Sequence, residues 1–580
     1  MKTAAVLYFL GIFSIFLTTL NAATTFQKSK NPFHKLRGLY ANQKPSDNPN
    51  DGPIYNYTTA WYPTMPVDHI HGSTQQTFKL RYFFNLDNYK PGGPLFFYTG
   101  NEGYLESFAQ NTGIMWDLAP KFNAAIVFAE HRFYGYTYPF GNLSYTNVKY
   151  LRFLDVEQVL ADYVVLINNV KRTLINDTNA KVIAFGGSYG GMLTSWFRVK
   201  YPNVTVGGWA SSAPLIYFKD GGVPVDAFSH ITKTTFVASG CDPNKIPNGF
   251  SAIQRLAKTD AGREKINKIF KLDKNSFLQT YDDCWNVIYY VQTAIEYMAM
   301  TDYPYSSSFL QPMPAWPVEE SCKGLMATDN SDDGLVQGLY NIANVYYNGT
   351  GALNETCFYN CPGAHDALGS PDGWPWQECT QIIIEMCDSG RNKHGCGKFP
   401  ADFPGNFHLT TLDLGPPNDF FFGSCDASNV FESQLSYCFE AFASRGWSNS
   451  QIKENYVKNT FGFDYAKTSN LILTSGTYDP WYSGCLKRNL YDFQTSYQRG
   501  LYVFELEGSA HHLDLRQPNT CDPRNIENVR FQITNILWCW AYPKDSKCTQ
   551  INSKPADLPP FVKKSVECKP VFYGYPWGQQ

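Results

Sequence analysis

An excess of positive charge is missing from this sequence. Its 48 Lys and Arg stand against 51 Asp and Glu, a formal net charge of −3. Phosphate backbones are bound by basic faces, so the balance argues against a nucleic-acid partner. Charge of either sign is sparse at 17%, beside 43% hydrophobic residues, and neither a collagen-like nor a disordered composition is present. No internal repeat occurs, and no second long apolar run follows the first twenty residues. That excludes a polytopic membrane protein. No Cys/His set has the short paired spacings of a tetrahedral zinc site, and no metal or other cofactor is expected. Histidine is rare, ten in 580 residues, so any chemistry that needs an imidazole has few places to look.

What is present begins with MKTAAVLYFLGIFSIFLTTLNAA. One lysine, an apolar stretch over residues 4–20 and small residues at the end read as a secretory signal, 1–23, that is cut off. An uncleaved anchor helix is the competing reading. Fifteen cysteines fit an oxidising compartment, and the odd total leaves at least one thiol without an intramolecular partner. Six N-x-S/T sequons, at Asn56, Asn142, Asn176, Asn203, Asn348 and Asn354, point to glycosylation along the same route. The expected location is the secretory pathway, ending outside the cell or in a lysosome. Once the signal is removed, no membrane association is expected.

Aromatic residues are abundant at 16%, which suggests large cores or an aromatic-lined pocket. Residues 24–53 are rich in Asn, Pro and Lys and read as a loose leader or propeptide. From there the text tightens. TFKLRYFF alternates like a half-buried strand, and PLFFYTG, AAIVFAE and KVIAFGG are short apolar runs of the kind found in central parallel strands. VEQVLADYVVLINNVKRTL, residues 156–174, carries apolar residues at helical spacing. Strands alternating with helices indicate an α/β domain. After residue 215 the text turns helical and cysteine-rich. Strand-like runs return at NLILTSGTYDPW and GLYVFELEGSAHHLDL, and a last helix starts near Asn525. The expected organisation is one α/β sheet domain in two parts, 54–215 and 466–545. A helical cap, 216–465, is inserted between them, and an extension, 546–580, follows.

The chemistry centres on KVIAFGGSYGGML. Gly186-Gly187-Ser188-Tyr189-Gly190 fits G-x-S-x-G, between a strand and a helix. A serine at such a sharp turn adopts a strained conformation that glycines on either side permit. The bare pattern is weak, since a chain of this length meets it by chance roughly 0.2 times at average composition. The flanking elements strengthen it. A serine nucleophile needs a base, and the base needs an acid to orient it. In α/β-hydrolases these follow in the order Ser, acid, His, each after a late strand. Asp479 follows NLILTSG, and His511 and His512 follow LYVFELE. Taken singly, they could be an Asp-Pro turn and a surface loop; the order after the strands favours catalysis. TGNEG, residues 99–103, follows the strand where the second oxyanion donor arises in this fold. The backbone N–H groups of Asn101, Glu102 and Tyr189 are the candidates. In EHRFYG, Glu130 and Arg132 read as a buried structural ion pair.

FGGSYGGML, YTGNEG, EHRFYG, GTYDPW and GSAHHLDL, in this order over residues 60–540, resemble the signature blocks of the prolylcarboxypeptidase and dipeptidyl peptidase II family of serine peptidases, which includes thymus-specific serine protease. The resemblance implies an α/β-hydrolase domain with a large helical, disulfide-rich cap, and exopeptidase cleavage after proline or a similar small residue. By motif it gives Ser188 as nucleophile, Asp479 as acid and His511 as base. Met192, Trp481 and His512 wall the substrate pocket, with a plain core role as the alternative for Trp481. The same resemblance implies bridges Cys241–Cys322, Cys284–Cys357 and Cys379–Cys438. The sequence departs from the lysosomal members at Ser475, where they carry Asn, at Cys485, which interrupts a glycine run, and in the extra Cys539, Cys548 and Cys568. Peptide substrates are the expected partners, and a homodimer is compatible with the sequence. Whether the enzyme is a carboxypeptidase or a dipeptidyl peptidase depends on which peptide terminus is held. Glu102 could hold an amine, and His512 or Arg516 a carboxylate. A non-catalytic secreted binding protein and an esterase or lipase on the same fold are the other two readings.

Overall fold

The computed structural model of the protein describes residues 55–358, 372–390, 396, 419–422, 430–548 and 552–572. The expected signal, 1–23, and leader, 24–53, lie outside the described residues. Eight strands form one sheet: β1 (Thr58–Pro66), β2 (Thr77–Asn85), β3 (Leu95–Thr99), β4 (Ala125–Ala129), β5 (Val182–Gly187), β6 (Gly207–Ser211), β7 (Leu471–Gly476) and β8 (Leu501–Leu506). Their order is β1-β2-β4-β3-β5-β6-β7-β8. The β1–β2 and β2–β4 pairs are antiparallel, and all others are parallel.

The central strands are buried on both sides because their sequences are apolar on both. Every residue of LFFYT, AIVFA, VIAFGG, GGWAS and LILTSG is buried. Alternate side chains therefore supply two separate cores. Phe96, Phe128, Phe185 and Trp209 face one, closed by the helices Gly113–Phe122 and Arg524–Ala541. Phe97, Val127, Ala184 and Leu473 face the other, closed by Val156–Thr173 and Tyr189–Lys200. The helix Val156–Thr173 starts where the Asp155 carboxylate accepts from the N–H groups of Glu157 and Gln158, and it ends with Lys171 and Arg172 in its last turn. Both ends complement the helix dipole.

Between β6 and β7 the described residues carry helices and no strand of the sheet. Among them, Cys284–Met300 has nearly every residue buried. Their apolar residues, such as Val287, Leu339 and Trp376, join the second core without a break. The protein is thus an α/β-hydrolase with a helical cap. Disulfides Cys241–Cys322 and Cys379–Cys438 staple the cap as expected. The third expected pair is corrected: Cys284 bonds Cys396, not Cys357. Thr356 makes backbone hydrogen bonds to Lys271 and Asp273, which ties Cys357 to that turn, and Cys357 is disulfide-bonded elsewhere. The cysteines near the C-terminus pair as Cys521–Cys568 and Cys539–Cys548. Cys485 is free and buried. No described helix is long and apolar enough to cross a membrane. Five sequon asparagines are exposed; Asn348 is half-buried, and its amide donates to Leu353 O at 3.0 Å.

Candidate active site

Ser188 sits where β5 becomes the helix Tyr189–Lys200, with φ 58° and ψ −128°. An L residue adopts that conformation at a cost of order 1–3 kcal/mol, which the surrounding structure has to offset. Backbone does so here. Ser188 N–H donates to Ser211 O at 2.9 Å, and Met192 N–H to Ser188 O at 2.9 Å. The turn is tight enough to need glycine at two places. A Cβ on Gly186 would lie 2.1 Å from Gly190 O, and one on Gly190 would lie 2.2 Å from Asn101 Oδ1. The first turn of the helix leaves N–H groups without carbonyl partners, that of Tyr189 among them.

The loops after β7 and β8 are laced together. Thr477 N–H donates to Leu506 O and Tyr478 N–H to Ser509 O, both at 3.0 Å. This brings Asp479, fully buried, against His511, which is 1% exposed. His511 Nδ1 lies 2.6 Å from Asp479 Oδ2, while Asp479 Oδ1 accepts from Trp481 N–H at 3.0 Å. An ionised carboxylate only accepts, so the proton belongs on Nδ1 and the lone pair on Nε2. His511 Nε2 is buried and has no hydrogen-bond partner among the described residues. The loop is also tied to the cap, since His511 N–H donates to Met300 O at 2.9 Å. Ser188, Asp479 and His511 follow the same ends of β5, β7 and β8; β6 joins β5 to β7 and β7 pairs β8, all in parallel register, with Gly187 beside Ser211, Ser211 beside Thr474 and Gly476 beside Leu506.

Asn101 meets the elbow through its side chain. Nδ2 donates to Gly187 O at 2.8 Å, and Oδ1 accepts from Tyr98 at 2.7 Å. Glu102 is buried beside it, and its Oε2 has no hydrogen-bond partner among the described residues. Burial pushes the Glu102 carboxyl up from 4.5 to about 7; its own N–H, the Asn101 side chain and the nearby His511 offset part of the rise. The folded protein therefore holds this proton more tightly than the unfolded chain. That stability is complete below about 4.5 and is lost as the pH rises through about 7, on the order of 3 kcal/mol in all. Glu102→Gln keeps the shape and removes the titration. The fall in Tm between pH 5 and pH 8 should be smaller in E102Q than in the wild type; an equal fall would refute this.

The expected pocket residues fall into two groups. Met192 and Trp481 are buried in the core that runs into the cap, with Trp481 edge-on to Phe228 at 4.9 Å and to Tyr217 at 5.8 Å. His512 takes a left-handed φ of 37° and donates its N–H to Ser212 Oγ at 2.9 Å. Its ring lies 4.5 Å from that of His511 and 5.3 Å from Phe309. Burial, then His511 and Arg516, hold its imidazole well below its usual range, hence neutral. Beyond it lies Arg516, 6% exposed, its guanidinium 4.2 Å from the Tyr303 ring centre and 5.4 Å from that of Phe309. Nη2 donates to Asn111 Oδ1 and Ser307 Oγ, both at 2.8 Å, while Nε and Nη1 are buried and have no partner among the described residues. Among the described residues no carboxylate forms an ion pair with it. A buried cation with two unused donors is costly unless an anion meets it.

Glu130 and Arg132 are buried in ion pairs, but not with each other. Glu130 takes Arg81 at 2.7 Å, and Arg132 takes both oxygens of Asp162 at 2.6 Å. Of the departures noted in the sequence, Ser475 Oγ is buried with no partner among the described residues, and Cys485 Sγ lies 3.5 Å from Trp481 O.

The family model for serine carboxypeptidase S28 matches residues 65–411. Three relatives cover most of the chain. "Putative serine protease pcp-1" of Caenorhabditis elegans is 43% identical over 97% of this chain and 96% of that protein. "Prolyl carboxy peptidase like protein 5" of Caenorhabditis elegans is 38% identical over 83% and 90%. "Lysosomal Pro-X carboxypeptidase" of Homo sapiens is 34% identical over 85% and 90%.

Proposed function

The chain belongs to the serine carboxypeptidase S28 family, and from that premise we propose that it removes a C-terminal residue from peptides whose penultimate residue is proline or a similar small residue. Ser188 Oγ attacks the carbonyl before the scissile bond, and His511 Nε2 takes its proton. Asp479 holds the imidazole in the Nδ1–H tautomer and stabilises the imidazolium that forms. The tetrahedral oxyanion is met by the Tyr189 N–H and by a donor near Asn101 and Glu102. His511 then protonates the departing amine, and water releases the acyl group. Met192 and Trp481 wall the acyl-side pocket. The names of the relatives support a Pro-X preference, and the disulfides fit a secreted or lysosomal location.

One observation carries the choice of terminus: the unpaired donors of Arg516. On this reading the leaving group lies beside the general base, toward His512 and Arg516, which both pack against the Phe309 ring. A one-residue leaving group puts its carboxylate in that direction, where a guanidinium binds it with two parallel bonds. The dipeptidyl reading needs an acid for a free amine. Glu102 is the acid at hand, and burial keeps it largely protonated in an acidic compartment.

The test uses one Xaa-Pro-Phe peptide as the free acid, as its C-terminal amide and as its N-acetyl form, with products read by mass spectrometry. N-acetylation should be tolerated, and amidation should lower kcat/KM about 100-fold, the scale of losing one partner of a desolvated charge pair. Arg516→Gln should produce the same loss on the free acid and little on the amide. Loss of cleavage on N-acetylation would assign dipeptidyl activity instead. Turnover of short acyl esters alone would assign an esterase, and no labelling by a fluorophosphonate would assign a binding protein.

A further inference from the structure

The segment GWPWQECTQ reaches out of the cap to the residue that follows Ser188. The short helix Gly373–Glu378 lies so close to the hydrolase domain that a Cβ on Gly373 would be 2.6 Å from the Tyr134 ring. Trp374 sets its ring against Tyr189, 5.2 Å between centres. Gln377, with no exposed surface, uses both ends of its amide. Oε1 accepts from the Tyr134 hydroxyl at 2.6 Å, and Nε2 donates to the Tyr189 hydroxyl oxygen at 2.6 Å. Tyr189 OH in turn lies 3.1 Å from His131 Nε2, and His131 Nδ1 lies 2.6 Å from Arg132 O.

These contacts allow one direction only. A carbonyl can only accept, so His131 donates from Nδ1 and its Nε2 accepts from Tyr189. Burial keeps that imidazole neutral, pushed down to about 3. The Tyr189 hydroxyl gives its single proton to His131 and receives one from Gln377. All four side chains are buried, where a broken member would strand the others. A second clamp fixes the same segment: Gln381 Oε1 accepts from Val156 N–H at 3.0 Å, and Gln381 also donates to Asp155.

We propose that Gln377 is a positioning residue of the cap: by fixing the far end of the Tyr189 side chain it sets the direction of the Tyr189 N–H, and oxyanion stabilisation thereby depends on the docked cap. This rests on the hydrolase reading above. A hydrogen-bond donor is effective only within a few tenths of an ångström of the position the oxyanion takes, and a ring pinned at one end cannot rock its backbone at the other. The cap then both shapes the pocket and completes the site beneath it.

The test reads the second-order rate at which a fluorophosphonate labels Ser188 in the full-length secreted protein, because the phosphoryl oxygen occupies the same hole whatever the peptide preference. In Gln377→Met, labelling and kcat should both fall by roughly 10- to 100-fold while KM changes less than about threefold. Tyr189→Phe should fall comparably, and the double variant should be no slower than the slower single. Gln377→Glu serves if the Met variant is not secreted. A protonated carboxyl offers one donor and one acceptor, as the amide does, so its rate relative to wild type should recover as the pH is lowered. Wild-type labelling in the Gln377 variants, a rise in KM alone, multiplying losses in the double variant, or a Gln377→Glu ratio independent of pH would each overturn the proposal. If wild-type and Ser188→Ala proteins are labelled alike, the hydrolase reading itself fails and this inference fails with it.

Discussion

Ser188→Ala should lower peptide turnover by about a million-fold, the scale observed when a serine nucleophile is removed from a triad that acts as a unit. His511→Ala should be as damaging, and the double variant no worse than either. Without the hydroxyl the base has nothing to activate, and without the base the hydroxyl is a poor nucleophile. What survives is the contribution of binding and of the backbone donors, about 10³- to 10⁴-fold over water. Folding should persist in Ser188→Ala, since the elbow is held by the Ser188 N–H to Ser211 O and the Met192 N–H to Ser188 O, which alanine keeps. Secreted yield and far-UV spectra check the fold; hydrolysis of a proline peptide checks the loss. Turnover within tenfold of wild type in either single variant would remove Ser188 or His511 from the reaction, and losses that multiply would mean that they act separately.

The candidate site is legible in the sequence because its residues stand at strand ends. β3, β4, β5, β7 and β8 announce themselves as short, largely apolar runs, since burial on both faces leaves few polar positions, such as Thr99, Thr474 and Glu505. β1 does not. Most of TTAWYPTMP is exposed or half-exposed, so an edge strand with two prolines has no pattern to read. β6, GGWAS, is hidden for a different reason. A Cβ on Gly207 would lie 2.1 Å from the Trp540 ring, a demand for glycine set by a helix more than three hundred residues away. Long-range pairing defeats sequence reading in general. Glu130 and Arg132 look like partners, yet each finds a charge outside its own motif. The Cys284–Cys396 bridge depends on where a β-bridge between Leu272 and Thr356 leaves Cys357. Gln377 carries no signal in the sequence reading, because its task exists only once the cap is folded down.

Asp479→Asn should cost about 10⁴-fold in kcat, less than loss of the serine and far more than its volume change would suggest. The direction follows from two bonds. Asp479 Oδ1 accepts from Trp481 N–H at 3.0 Å and Oδ2 lies 2.6 Å from His511 Nδ1. An asparagine must keep its oxygen toward the Trp481 N–H, because that N–H can only donate. Its NH₂ therefore faces His511 Nδ1 and donates to it, which drives the ring proton to Nε2, the atom that accepts from Ser188 in the proposed mechanism. The site has no room for escape, since Asp479 is fully buried and the flipped amide would leave two donors facing each other. The variant also removes the negative charge that stabilises the imidazolium during attack. Peptide turnover and the rate of fluorophosphonate labelling should fall together, with residual activity above that of Ser188→Ala because the nucleophile remains. A loss smaller than tenfold would mean that another group orients the imidazole, and the hydrogen bond that Asp479 accepts from His511 would then be part of the fold and not of the reaction.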